Sequence, residues 1–146
     1  MQQFYDNTED WQFSTIEEIK AFYRLKPTEK IDITRKGITR RQLDQFRKTT
    51  GLNYSLIASM IGIPATALYQ IRGEAEYSSL ISDNLASIFD LFGFGYIHFK
   101  DPHLFNDWMR TGFSDSDFPP PATLCDTSFG REEVIYEILR LKREGR

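Results

Sequence analysis

The segment from residue 51 to residue 73 constrains the fold most strongly, because residues that start and end helices follow each other closely in it. Asn53 is a typical N-cap residue. Apolar residues follow at helical spacing; they are Leu56, Ile57, Met60 and Ile61. Gly62 suits the left-handed conformation that ends a helix, and Pro64 suits the first turn of the next one. The segment therefore predicts a short helix, a tight turn and a second short helix, which is the layout of a helix-turn-helix.

The second of these helices predicts which side chains would meet DNA. Its apolar positions Ala67, Leu68 and Ile71 should face the core. The remaining positions form an outward set that could enter a major groove; they are Ala65, Thr66, Tyr69, Gln70 and Arg72. In the alternative interpretation, the two helices are an ordinary helical hairpin within a protein core.

Charge is distributed unevenly along the chain. The 146 residues carry a net charge of −3. Residues 35–73 contain seven basic residues and one acidic residue, a net charge of +6, so the rest of the chain carries −9. A basic segment in an acidic protein is typical of a phosphate-binding face. We predict phosphate contacts for Arg40, Arg41, Arg47 and Lys48, whereas the alternative is that they are solvated helix charges with acidic neighbours elsewhere in the fold.

Helix signals also precede this segment. The pattern of residues 14–17 is typical of a capping box and predicts a helix that Pro27 ends. The alternation of apolar and polar residues over 31–34 predicts a brief extended segment. Thr39 predicts the cap of a helix over residues 40–49.

The character of the sequence changes near residue 92. Ser82 begins a helical pattern up to that point, and glycines then interrupt the apolar run of residues 92–96. Residues 103–110 predict a further helix, and Thr127 predicts the cap of the last one. The sequence thus predicts an all-α protein with three parts: an N-terminal extension with one short helix (residues 1–34), a helix-turn-helix domain (35–92) and a small helical C-terminal domain (93–146).

The C-terminal part is rich in aromatic residues for its size; they include Phe105, Trp108, Phe113, Phe118 and Phe129. Because small units bury a lower fraction of their surface, we expect some of these rings to form an exposed patch for a partner. The alternative is that they fill the seam between the two domains. Three basic residues near the C-terminus either reach an anionic pocket of a partner or are solvated charges at a helix end; they are Lys142, Arg143 and Arg146.

No catalytic or metal site is predicted. Cys125 is the only cysteine, and a lone cysteine among apolar residues is usually a small core side chain rather than a nucleophile. His98 and His103 lie five residues apart across a proline, which is not the spacing of metal ligands on a helix. We therefore expect no enzyme activity, metal or cofactor. Without a secretion signal or a stretch of membrane-spanning length, we expect a soluble cytoplasmic protein.

The order of landmarks from residue 38 to residue 146 resembles the Xre/MbcA/ParS antitoxins, in which an Xre-like helix-turn-helix precedes a toxin-binding domain. The later landmarks are the stretch from Phe92 to Trp108, the run from Pro120 to Gly130, and a last helix with Val134, Ile138 and Leu141 before Gly145. The resemblance implies a protein that binds and silences a partner toxin, commonly a RES-domain protein that consumes NAD. It also implies repression of its own operon by binding operator DNA.

Seven residues of the C-terminal domain are the expected toxin contacts: Phe105, Trp108, Phe118, Phe129, Lys142, Arg143 and Arg146. Pro64, Ala65 and Thr66 stand where the family usually has a serine and basic or polar residues. Affinity for DNA should therefore come mainly from phosphate contacts. The first 34 residues lie outside the resemblance, and we expect them to dock on the core.

The prediction is a homodimeric antitoxin of a type II toxin–antitoxin pair, because a symmetric dimer presents two recognition helices to two half-sites of DNA. The alternative is a stand-alone helix-turn-helix transcriptional regulator whose C-terminal domain only dimerises. A third interpretation is a protein-binding module that has lost its contact with DNA.

Overall fold

The computed structural model describes residues 11–146, and every regular element in this range is a helix, which confirms the all-α prediction. Outside the helices, one isolated bridge pairs Thr39 with Glu76. The described elements are α1 (Ile16–Arg24), α2 (Pro27–Lys36), α3 (Arg40–Thr50), α4 (Tyr54–Met60), α5 (Thr66–Tyr69), α6 (Ser79–His98), α7 (Pro102–Thr111), a 3-10 helix (Pro121–Leu124) and α8 (Ser128–Arg143).

Within its described residues, from 11 onwards, the N-terminal part has two helices rather than one. A capping box starts α1, since the Thr15 hydroxyl accepts the N–H of Glu18 while the Glu18 carboxylate accepts the N–H of Thr15. Pro27 is the first residue of α2, where its fixed φ favours a helix. The predicted extended segment over residues 31–34 is wrong, because these residues lie within α2.

Residues 11–34 dock on the rest of the protein, as expected. Phe13, Ile19 and Phe22 are fully buried. The ring of Phe13 lies 4.5 Å from that of Phe89 on α6, measured between centroids. The described part of the N-terminal extension is therefore built into the core, and residues 1–10 lie outside the described range.

The middle of the chain forms three short helices. Thr39 caps α3 and Asn53 caps α4, as predicted. Gly62 has a left-handed φ of 72°, which fits its predicted place in the turn after α4. The second helix of the pair is shorter than predicted: α5 begins two residues after Pro64 and contains four residues.

The predicted break at residues 92–96 is wrong, because α6 runs without interruption through Gly93 and Gly95. Other parts of the protein approach this helix so closely at Gly93 and Gly95 that any larger side chain there would not fit. A Cβ atom on Gly93 would lie 2.7 Å from the carbonyl oxygen of Ile19, and one on Gly95 would lie 2.0 Å from Cζ of Phe105. The glycines therefore mark close packing and not a turn.

The same helix removes the predicted domain boundary between residues 92 and 93. Buried residues from α1 to α8 belong to one hydrophobic cluster. Buried polar groups also cross the boundary: the hydroxyl of Tyr96 donates to Asn106 Oδ1 at 2.6 Å, and Asn106 Nδ2 donates to the carbonyl of Thr49 at 3.3 Å. The helices before and after residue 92 therefore share one core.

Candidate functional site

Arg40, the first residue of α3, connects three helices. Its Nε donates to the hydroxyl of Tyr54 on α4 at 2.8 Å. Its Nη1 donates to the carbonyl oxygens of Tyr69 at 2.8 Å and Ile71 at 3.2 Å, at the C-terminal end of α5. The Nε and Nη1 donors of Arg40 are therefore directed at the protein itself and not at solvent.

Tyr54 extends this contact into a network with Asp44 and Arg47. The tyrosine hydroxyl donates to the carboxylate of Asp44, and the guanidinium of Arg47 lies 4.0 Å from the centre of the ring. The ring of Tyr69 packs edge-on against Tyr54 at 5.2 Å. Burial raises the pKa of Tyr54, and the bond to Asp44 raises it further, while Arg40 lowers it. We call Arg40, Asp44, Arg47 and Tyr54 the Arg40 network.

Arg47, also predicted to contact phosphates, has its guanidinium beside neighbours within the protein. Its guanidinium stacks on Tyr54 and donates to Asp44 Oδ1 at 3.4 Å. Sequence reasoning missed Tyr54 and Asp44 as partners, although Arg40, Asp44 and Arg47 are spaced to share one side of a helix. That spacing was the available signal.

Arg41 points to a different acidic partner. It makes two hydrogen bonds to the carboxylate of Glu74, at 2.6 and 3.1 Å, and these bonds lower the pKa of Glu74. Glu74 lies one residue beyond the segment whose charge was counted. For Arg41, the structure therefore shows the alternative interpretation: the arginine pairs with an acidic residue from elsewhere in the fold.

Several predicted DNA contacts on α3, on α5 and directly after α5 reach solvent. Lys48, Thr66, Gln70 and Arg72 are exposed, and Tyr69 is 43% exposed. We call these five residues the α3–α5 face. Ala65 is half-buried and packs against the core. An open groove of about 510 Å³ runs beside this face, lined by Arg40, Arg41, Asp44, Gln45, Lys48, Arg72 and Gly73.

Two of the predicted toxin contacts are core residues. Phe105 is completely buried and Trp108 is 2% exposed. Trp108 lies 5.3 Å from Phe99 and stacks on the half-buried Phe118 at 6.3 Å, between ring centres. The expected surface role of Phe105 and Trp108 is therefore wrong, because α6, α7 and the loop before the 3-10 helix enclose them.

Helix α8 carries the exposed aromatic surface of the C-terminal part. Phe129 is 80% exposed and Tyr136 is 58% exposed. They lie seven residues apart, about two turns, and therefore share one side of the helix. We call this pair the α8 aromatic face. Sequence reasoning selected Phe129 and missed Tyr136, whose spacing from Phe129 was the available signal.

The basic residues near the C-terminus differ in their surroundings. Arg143 is exposed. Nζ of Lys142 lies 3.0 Å from Nδ1 of His98, and burial together with the charge of Lys142 lowers the pKa of His98. The guanidinium of Arg146 lies 4.4 Å from the ring centre of Phe113, and its carbonyl accepts the N–H of Lys100. In the structure, the side chain of Arg146 therefore lies against the C-terminal part of the protein itself.

Cys125 is fully buried, and burial raises the pKa of its thiol to about 12. A thiol in this state contains very little of the thiolate that acts as a nucleophile. Among residues 11–146, no three His, Cys, Asp or Glu side chains come together as a possible metal site. Within the same range, no helix is both long and apolar enough to cross a membrane.

Comparison with known proteins adds no relative: no family model, curated protein or solved structure matches this chain. The fold alone defines the class of protein: over the described residues it is an all-α protein with a single core. Its two candidate binding surfaces are the α3–α5 face and the α8 aromatic face.

Proposed function

We propose that the protein is an antitoxin that binds duplex DNA through the α3–α5 face and a partner toxin through the α8 aromatic face. The observation that carries the proposal is the 80% exposure of Phe129, a large aromatic side chain in the first turn of a regular helix. An exposed aromatic residue of this kind is a typical anchor of a protein interface. The sequence resemblance supports a toxin as the partner, and a RES-domain protein as its class.

The DNA-binding part of the proposal is supported by the side chains of the α3–α5 face. Thr66 and Gln70 supply hydroxyl and amide groups that can hydrogen-bond to base edges, and Lys48 and Arg72 supply positive charge for phosphates. All four are exposed. A pair of such faces in a homodimer would read two half-sites of an operator.

The experiment for the toxin part is co-expression with the product of the adjacent gene, followed by pull-down and a growth test. We expect a stable complex and rescue of growth. The double variant Phe129→Ser/Tyr136→Ser should lose both, whereas the control Leu80→Ser, which changes another highly exposed apolar residue, should retain both. A wild-type chain that neither binds nor protects would overturn the antitoxin proposal.

The experiment for DNA binding uses a duplex from the region upstream of the gene. Lys48→Glu/Arg72→Glu should abolish binding, while Arg24→Glu/Lys100→Glu, exposed residues with the same total charge change, should weaken it far less. DNA binding without any toxin complex would favour the stand-alone regulator. A toxin complex without DNA binding would favour the pure protein-binding module.

A further inference from the structure

We propose that Arg40 is a positioning residue that holds α5 in place for sequence-specific DNA binding and does not contribute a phosphate contact. The inference rests on the proposed DNA-binding function, because it assigns a role within that surface. It concerns residues of the Arg40 network and the end of α5.

Helix α5 is anchored in its middle by the buried Leu68, whose carbonyl accepts the Tyr77 hydroxyl at 2.7 Å, but its C-terminal end has little support of its own. It contains four residues, and a helix this short closes few internal hydrogen bonds. Its C-terminal end leaves carbonyl oxygens without partners inside the helix. Arg40 Nη1 donates to two carbonyls at this end, those of Tyr69 and Ile71. A positive charge is also favourable at the negative end of a helix dipole.

The orientation of Arg40 is itself fixed. Its Nε donates to Tyr54, whose hydroxyl donates to Asp44, and Arg40 Nε lies 3.9 Å from the second Asp44 carboxylate oxygen. The side chain thus spans from α4 to the end of α5 with donors on two different nitrogens. A lysine has the same charge but a single side-chain nitrogen, so it cannot donate to Tyr54 and to the end of α5 in the same two directions. We call this pair of donor directions the fork of Arg40.

The position of α5 decides where Thr66, Tyr69 and Gln70 stand relative to a DNA groove. Direct readout of bases requires hydrogen-bonding groups at defined positions, whereas phosphate attraction depends mainly on charge. Loss of the fork should therefore reduce the affinity for the preferred sequence and leave the affinity for unrelated DNA nearly unchanged. A lost phosphate contact would instead weaken both.

The test measures fluorescence anisotropy with the upstream duplex and an unrelated duplex at several salt concentrations. For Arg40→Lys we expect about tenfold weaker binding to the upstream duplex, unchanged binding to the unrelated one, and an unchanged salt slope. The reference variant Lys48→Gln should weaken binding to both and reduce the slope by about 0.9. The inference would be overturned if Arg40→Lys bound the upstream duplex as tightly as wild type and Arg40→Gln showed a reduced salt dependence of binding. That result would restore Arg40 as a phosphate contact.

A second measurement does not depend on DNA. Hydrogen exchange of the amides of residues 66–73 should become faster in Arg40→Lys than in wild type, and should stay at the wild-type rate in Lys48→Gln. Unchanged exchange in Arg40→Lys would overturn the positioning role whether or not DNA binds. Faster exchange in a protein that binds neither duplex would support the positioning role of Arg40 and reject the proposed DNA-binding function.

Discussion

Aromatic residues serve different purposes in the two halves of the protein. Tyr54 and Tyr69 pack against each other beside arginine side chains, and Tyr54 is buried whereas Tyr69 is 43% exposed. Phe105 and Trp108 instead pack against further rings and are buried. The comparison teaches that aromatic content alone does not identify a binding surface, because the packing around each ring decides how much of it reaches solvent.

The largest expected effect comes from truncating a ring of the C-terminal core. Trp108→Ala should reduce the free energy of unfolding by about 3–5 kcal/mol, because it leaves a cavity among packed rings. Phe129→Ala should change the same quantity by less than about 0.5 kcal/mol, because Phe129 is exposed. Urea unfolding followed by circular dichroism measures both. Equal stability of the two variants would contradict the assignment of Trp108 to the core and Phe129 to the surface.

The next largest loss of stability is expected from a substitution of Gly95, which packs against the ring of Phe105. Gly95→Ala would place a Cβ atom 2.0 Å from Cζ of Phe105, whose ring cannot move without disturbing the core. We expect a loss of about 1–3 kcal/mol in the free energy of unfolding, as for other overpacked cores. Asp83→Ala, on an exposed position of the same helix, is the matched control and should cost little. Wild-type stability of Gly95→Ala would show that α6 and α7 are less closely packed than described.

The hydroxyl of the buried Tyr54 should contribute less than these core contacts. Tyr54→Phe keeps the ring and removes the hydroxyl that links Arg40 to Asp44. Both partners are partly exposed and can turn to water, so we expect a loss of about 1 kcal/mol. Tyr136→Phe, which removes the hydroxyl of an exposed tyrosine, is the control. Thermal unfolding compares the two, and an equal effect would argue against the network as a structural link.

The smallest effect is a pH dependence from His98. Its pKa is lowered in the folded protein by burial and by Lys142, so the unfolded chain binds a proton more readily. Stability should be complete above the ordinary histidine pKa of about 6.5, and it should decline as the pH falls from there through the folded-state pKa. Urea midpoints at pH 7.5 and pH 5.5 measure this. His98→Gln should reduce the decline, and His103→Gln, which changes an exposed histidine, should not.

Local signals predicted much of the helical structure. Thr39, Asn53 and Thr127 each cap the helix that follows them, as expected from side chains that accept backbone N–H groups. These predictions succeed because a cap depends on residues only three positions apart. The extended segment over residues 31–34 failed because Pro27, four residues earlier, had already started a helix.

Long-range packing explains the other failures. Glycines in residues 92–96 indicate a break in the local sequence, but the space that they leave is filled by α1 and by Phe105. The charge count of residues 35–73 predicted a phosphate-binding face, with acidic neighbours elsewhere in the fold as the alternative, and it could not show that Arg40 and Arg41 pair with Tyr54 and Glu74. No local sequence pattern shows which distant segments of the protein will pack against each other.

The sequence by itself determined that the chain is helical and where most helices begin, because propensity and capping act over a few residues. It also indicated Phe129 as one candidate contact among several aromatic residues, but it could not separate this residue from Phe105 and Trp108. Only the tertiary structure decided which aromatic and basic side chains reach solvent. The physical reason is that burial and ion pairing depend on neighbours that are distant in sequence.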